Sequence, residues 1–122
     1  MATKEEIAAA ARGMFRVKEI EIRPGTFVGL RELTTPERNA LDRKLWQVDE
    51  AGELKMRKEG DDDFLVSVPG VHHNEEWLAA TMTPAFTVDE LLAGWPAPLK
   101  AELAAEAKKL NTATLKDAVG NS

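Results

Sequence analysis

Two adjacent histidines and two acidic clusters are the side chains of this sequence best suited to chemistry. His72-His73 is the only histidine cluster, Asp61 to Asp63 form an acidic run, and Glu75-Glu76 follow the histidines. Adjacent side chains point in different directions on an extended or helical backbone, so the two histidines are poorly placed to hold one metal ion. No spacing resembles a zinc or calcium loop. We therefore expect no metal site, and interpret the histidines as part of a surface loop in which His73 or Asn74 caps a helix.

The other candidates for catalysis are equally weak. Catalytic carboxylates need burial and fixed geometry to shift their pKa values, and three consecutive aspartates beside Gly60 should be hydrated. Ser67 and Ser122 are the only serines, and neither lies in a Gly-x-Ser-x-Gly turn. The chain has no cysteine, and its 8 glycines are scattered rather than grouped in a phosphate-binding loop. The sequence predicts a protein that is not an enzyme and holds no cofactor.

Composition narrows the class of protein further. A length of 122 residues suits one small domain, and the net charge of −5 disfavours binding to nucleic acid. No apolar run approaches the ~18 residues needed to span a bilayer, so no membrane partner is expected. The acidic N-terminus is unlike a signal peptide, which favours a location in the cytoplasm of the producing cell.

The elements that would position any site are clearest in the last third of the chain. Thr87 and Glu90 form a capping-box pattern at the start of a short helix, and Gly94 ends it. A second helix of roughly four turns should begin at the following prolines. Its apolar face is predicted to contain Leu99, Leu103, Ala107 and Leu110, and its other faces Lys100, Glu102, Glu106, Lys108 and Lys109.

The first half of the chain predicts a β-hairpin followed by a helix. Residues 16–33 alternate between apolar and polar side chains around Pro24-Gly25, which favours a type II turn in a slightly widened loop. Thr34 should cap a helix over residues 35–49, on which the hairpin would pack. Residues 51–70 are interpreted as a variable charged loop, in which Phe64 to Val68 is either a strand or buried coil.

Together these patterns predict an α+β fold that is mainly α-helical, with an N-terminal β-hairpin packed on a small bundle of four to five helices. Residues 16–110 would form a single domain, with helical segments over 73–110 and a helix stop at Asn111. Residues 1–15 would form an N-terminal helix or arm, and residues 111–122 a flexible tail.

Apolar side chains in the last third are the candidates for binding another protein. Large aromatic side chains are enriched at interfaces, and Trp95 lies at a corner between Gly94 and Pro96. Trp95 would either lock this corner or contact a partner. The full set of candidate partner-binding residues is Leu91, Leu92, Trp95, Leu99 and Leu103; the alternative is that all five fill the core.

Three separated segments carry a resemblance to a known family. The hairpin runs into RELTTPER at residues 31–38, WLAATMTP follows at 77–84, and FTVDELL at 86–92 leads to Trp95-Pro96-Ala97. This arrangement resembles the tail assembly chaperones of long-tailed bacteriophages, in which a hairpin, a variable middle and a final helix occur in the same order. The chain departs from that pattern in its alanine-rich N-terminus and in the charged insert from Lys55 to Asp63.

The resemblance implies a non-enzymatic role in the cytoplasm of the infected host cell. Such a chaperone would bind the tape measure protein, with the tail tube protein as a second partner and self-association as a further possibility. It would promote assembly of the tail tube and be absent from the mature virion. The alternative is a structural tail or connector subunit of the phage particle.

Overall fold

The computed structural model describes residues 1–59 and 62–112, and within these it contains five helices and two antiparallel sheets. The predicted α+β class, mainly helical with an N-terminal hairpin, is confirmed. In chain order the elements are α1 (Lys4–Arg12), β1 (Val17–Arg23), β2 (Thr26–Arg31), α2 (Thr35–Leu45), β3 (Met56–Glu59), β4 (Asp62–Leu65), α3 (His73–Thr81), β5 (Met82–Thr83), α4 (Val88–Gly94) and α5 (Ala97–Thr112).

The N-terminal hairpin forms as predicted, but its loop is tighter than expected. Gly25 has a φ of +81°, as the third residue of a type II turn requires. Arg23 pairs directly with Thr26, so the loop is not widened. The register instead shifts between Glu21 and Arg23, and this irregularity reconciles the turn with the twist of the strands.

A short third strand, which the sequence did not reveal, completes the main sheet in the order β1-β2-β5. Met82 pairs with Leu30 and Thr83 with Gly29. A Cβ atom on Gly29 would lie 3.0 Å from the Thr83 carbonyl oxygen, so glycine permits this close approach. Two residues are too short a strand to show an alternating pattern, which explains why β5 was missed.

The core lies between the inner face of the hairpin and helices α3 and α5. The expectation that α2 supplies the surface for the hairpin is wrong, since β2 packs on α3 and α5 while α2 packs on α3. Helix α3 is central, because it also contacts α4 and α5. The buried apolar residues are Val28, Leu30, Leu41, Leu45, Trp77, Leu78, Met82, Leu91, Leu103, Ala104, Ala107 and Leu110.

The middle of the chain is more ordered than a solvated loop. Helix α2 ends at Leu45 rather than near residue 49, because Trp46 is extended and bridges to Ser67. Strands β3 and β4 pair as a second antiparallel hairpin within the charged region, so the loop prediction is wrong there. Phe64 belongs to β4, which settles the choice between strand and coil in favour of a strand at that residue. The sequence did not reveal this hairpin because charged residues occupy most of its strands and no apolar alternation marks them.

The two ends of the described chain behave differently. Helix α1 forms with Thr3 as its cap, but it contains no buried residue, and the apolar side chains of Ile7 within it and of Met14 and Phe15 after it are exposed. Helix α5 continues past the predicted stop at Asn111 to Thr112. The rest of the predicted tail, residues 113–122, lies outside the described residues.

Asn111 continues the helix because its side chain is used in tertiary contacts. Its Oδ1 accepts a hydrogen bond from the Leu33 N–H at 2.7 Å, and its Nδ2 donates to the carbonyls of Ala107 and Arg31 at 2.9 and 3.3 Å. The guanidinium of Arg16 donates to the Leu110 carbonyl at 2.8 Å. These bonds hold the C-terminal end of α5 against the start of β1 and the end of β2.

Candidate protein-binding groove

The two histidines first considered for chemistry lie at the start of α3. His72 is the N-cap of α3 without a side-chain hydrogen bond, so the predicted cap at His73 or Asn74 is displaced by one or two residues. His73 instead packs edge-on against Trp46, with ring centroids 4.8 Å apart. Within residues 1–59 and 62–112, no group of three or more His, Cys, Asp or Glu side chains could hold a metal ion. Asp61 lies outside these ranges.

The structure separates the five predicted partner-binding residues. Leu91 and Leu103 are core residues with 0% and 1% exposure, so they present almost no surface in this conformation. Leu92, the next residue of α4 after Leu91, is 41% exposed. Trp95 and Leu99 are half-buried and pack against the core. The five therefore do not form one continuous exposed patch.

Trp95 locks the corner between α4 and α5. A capping box at Thr87 and Glu90 starts α4 as predicted, and Trp95 follows Gly94 in an extended conformation. Its ring packs edge-to-face on Phe86, with centroids 5.2 Å apart and planes at 70°. This geometry is favourable for aromatic pairs, and it gives Trp95 a structural role within the chain.

A groove of about 680 Å³ runs between β1 and α5, and it brings two of the predicted residues together with side chains that were not predicted. Leu99 and Leu103 line it from α5, and Ile20 and Ile22 line it from β1. The strand residues are half-buried at the edge of the sheet, where no strand among the described residues pairs with the outer side of β1. The groove therefore leaves part of the apolar face of β1 and α5 open to solvent.

Acidic side chains dominate the rim of this groove. The charged lining residues are Lys18, Glu19, Glu21, Glu102 and Glu106, so four carboxylates and one ammonium give a formal charge of −3. The ammonium of Lys18 is already in an ion pair with Glu106, and this hydrogen bond lowers the pKa of the Glu106 carboxyl. The remaining three carboxylates give the groove a negative potential that favours a positively charged ligand.

A buried ion pair helps to fix the α5 wall of the groove. Lys100 was predicted to lie outside the apolar face of this helix, but it is buried and its Nζ lies 2.8 Å from Oε1 of Glu75 on α3. Burial is the largest single influence on Glu75 and raises its pKa, but the hydrogen bond and charge of Lys100, together with a backbone hydrogen bond, outweigh burial, so the net pKa is lowered. Helix α5 is thus held to α3 through Lys100 and to β1 through Glu106, on either side of Leu103.

A second, smaller groove of about 280 Å³ lies between α2 and α3. Its charged residues are balanced, with Arg31 and Lys44 against Glu37 and Glu76, and Arg31 is paired with Glu37. Its apolar lining consists mostly of alanines, which offer little surface for a ligand. This groove is the weaker candidate on both size and charge.

The sequence identified only part of the larger groove because its walls are distant in the chain. Glu19 and Glu21 alternate with Ile20 and Ile22, which marks a strand with one apolar face. Glu102 lies one turn from Glu106 on the face beside Leu99 and Leu103. Each pattern is visible locally, but nothing in either one indicates that the two acidic-apolar segments face each other.

No protein-family model, curated protein or solved structure matches this chain. Among the residues the structure describes, no helix is both long and apolar enough to cross a membrane. Any inference about function therefore rests on the groove and on the sequence motifs.

Proposed function

We propose that this protein is a non-enzymatic tail assembly chaperone of a long-tailed bacteriophage. It binds the tape measure protein in the host cytoplasm, promotes assembly of the tail tube around it, and is absent from the mature virion. The order of hairpin, RELTTPER helix start, WLAATMTP segment and final helix supports the family. The observation that carries the binding role is the open groove between β1 and α5, with its apolar floor and acidic rim.

The size of the groove fits weak, reversible contacts with a helical client. Helix-in-groove recognition buries a few apolar side chains of the ligand helix. Two or three such side chains contribute ~1.5–3 kcal/mol each, and association itself costs at least ~4 kcal/mol, so a single contact is weak. Many copies bound along one long client would gain strength through avidity, while each copy could still be released.

One feature favours the structural alternative, a tail or connector subunit. Helix α1 buries no residue, and Ile7 within it and Met14 and Phe15 just after it are exposed. An arm of this kind could pack on a neighbouring subunit in a particle. Mass spectrometry of purified particles separates the two candidates, because a structural subunit is retained in the particle and a chaperone is not.

The direct test is coexpression of the tagged protein with the tape measure protein encoded in the same phage genome. Leu99→Ser should reduce capture of the tape measure protein at least fivefold, because Leu99 lines the groove. Leu92→Ser is the matched control, since Leu92 is also a helical leucine but is absent from the groove lining. Circular dichroism and thermal melting establish that both variants fold.

Two results would contradict the proposal. If the wild-type protein captures no tape measure protein, the chaperone role is wrong. If Leu92→Ser abolishes capture while Leu99→Ser does not, the groove is the wrong surface and the exposed face of α4 binds the client.

A further inference from the structure

The charge of the β1–α5 groove specifies its ligand more closely than its apolar floor does. Glu102 and Glu106 lie one turn apart along the α5 wall, and Glu19 and Glu21 lie along the β1 wall. The apolar floor runs between these two acidic rows. A ligand that covers the floor must therefore place its own flanks within reach of carboxylates on both sides.

The single lysine of the groove does not neutralise it. Lys18 is on the inner face of β1, in register with the buried Leu30, and it is paired with Glu106. The rows that remain, Glu19 and Glu21 on one side and Glu102 on the other, are all exposed. Like charges at this spacing repel an acidic ligand and attract a basic one.

The edge of β1 favours a helix over an added strand as the occupant. Edge strands are protected from pairing by charged side chains that point inward and by register irregularities. Strand β1 has both features, the inward-pointing Lys18 and the register shift between Glu21 and Arg23. The α5 wall extends from Leu99 to Glu106, about 10 Å at 1.5 Å per residue, which matches two turns of a ligand helix.

We propose that this groove binds a basic amphipathic helix. Apolar side chains of the ligand, at spacings of three and four residues, cover Ile20, Ile22 and Leu99. Lysines or arginines on its two flanks lie opposite Glu102 and Glu19. This inference rests on the groove being the client site of the proposed function, and it adds that the recognised client segment is helical and positively charged.

The test uses synthetic 14-residue peptides and the wild-type protein, with binding measured by fluorescence anisotropy. Three peptides share leucines at every third or fourth position and differ only in their flanks, which are lysine, glutamine or glutamate. A fourth has the composition of the lysine peptide but strict alternation of leucine and lysine, which favours a strand. The lysine helix should bind about tenfold more tightly than the glutamine helix, and the glutamate helix more weakly than either.

Salt and rim variants connect this preference to the groove. Raising sodium chloride from 50 to 500 mM should remove most of the advantage of the lysine helix, because exposed charges are then screened over a few ångströms. Glu19→Gln/Glu102→Gln should reduce the advantage to about threefold or less. Glu5→Gln/Glu50→Gln makes the same change in net charge outside the groove lining and should leave the advantage intact.

The other outcomes either overturn the inference or separate it from the proposed function. Equal binding of the three helical peptides removes the role of charge, and tightest binding of the alternating peptide identifies strand addition. An equal effect of the two double variants shows a general attraction to an acidic protein. If the peptides behave as expected but no tape measure protein is captured on coexpression, the groove inference stands and the chaperone proposal fails. If capture succeeds and Glu19→Gln/Glu102→Gln does not weaken it, the groove inference fails alone.

Discussion

Removal of the Lys100 ammonium should be among the most damaging single changes to this fold. The side chains of Lys100 and Glu75 are only 9% and 12% exposed, with 2.8 Å between Nζ and Oε1. Lys100→Met fills similar space but leaves the Glu75 carboxylate buried without its partner. The Coulomb attraction of such a pair is about 4 kcal/mol at 4 Å and an effective dielectric of about 20. The position of Glu75 in the first turn of α3 offsets up to about 1 kcal/mol of this loss.

The expected loss in the free energy of unfolding is therefore about 3 kcal/mol at pH 7, which agrees with the ~3–5 kcal/mol typical of a broken buried pair. For a domain of this size it corresponds to a decrease in Tm of about 10 °C. Urea denaturation at constant temperature measures it directly. Lys109→Met is the matched control, because Lys109 is an exposed lysine on the same helix, and it should cost less than about 0.5 kcal/mol.

The pH dependence distinguishes a buried charge from lost packing. In the wild-type protein the pKa of Glu75 is lowered, so its contribution is present above the unfolded value of about 4.3 and is lost as pH falls further. In Lys100→Met the largest influence on Glu75, burial, is opposed only by a backbone hydrogen bond and a Coulombic contribution from His72, so the pKa of Glu75 should rise and protonation should relieve the penalty. The stability deficit of the variant should therefore shrink between pH 7 and pH 4.

The double variant Glu75→Leu/Lys100→Met completes the cycle. Because it leaves no buried charge, it should lie within about 1 kcal/mol of the wild-type protein, which requires a coupling energy of at least about 2 kcal/mol. A deficit below about 1 kcal/mol for Lys100→Met at pH 7 would refute the reasoning, as would a deficit that does not change with pH. Either result would mean that Glu75 reaches water when its partner is removed.

Two further predictions concern the ends of α5 and α2. Asn111→Ala should lower the free energy of unfolding by about 2 kcal/mol, because the Leu33 N–H and the Arg31 carbonyl lose their partner. If urea denaturation shows a loss below about 0.5 kcal/mol, water replaces the amide. The pKa of Glu37 is lowered to about 2, chiefly by the hydrogen bond from Arg31, so its contribution is complete above about pH 4.5 and decreases as pH falls towards 2. Glu37→Gln keeps the hydrogen bond to the cap residue Thr34. Because Glu37 is 38% exposed, the variant should lose only about 0.5 kcal/mol of stability at pH 7 and nothing at pH 2, as measured by thermal melts. A loss that does not change with pH would contradict the role of the Glu37 charge.

The sequence predicted the elements whose signals are local. The capping box at Thr87 forms as expected, and Thr34, predicted only as a helix cap, forms one with Glu37 as well, because Thr and Glu three residues apart satisfy each other's backbone N–H groups whatever else is nearby. The hairpin around Pro24-Gly25 follows from alternation and a turn dipeptide. By contrast, Asn111 was misinterpreted as a helix stop, because the hydrogen bonds that retain it in α5 come from residues about 80 positions away.

The candidate site was predicted in part for a related reason. Helical spacing placed Leu99 and Leu103 on one face, but the spacing does not reveal whether that face meets the core or a ligand. In the structure this face of α5 meets both the core and the groove. Leu103 and Ala107 lie in the core, and Leu99 lines the groove beside β1. The groove exists because β1 is an edge strand, and strand order is a property of the whole fold.

The distribution of buried residues implies that binding and folding can be perturbed separately. The core draws on β2, α2, α3, α4 and α5, whereas β1 contributes only half-buried isoleucines to it. The β1 wall of the groove therefore lies at the periphery of the core. The α5 wall is the outer side of a helix whose inner side belongs to the core. Changes to Glu19, Glu21 or Glu102 remove exposed charges and leave the buried apolar residues untouched. A loss of binding in such variants therefore reports on the groove itself. The same would not hold for Leu91 or Leu103, where truncation of the side chain opens a cavity in the interior.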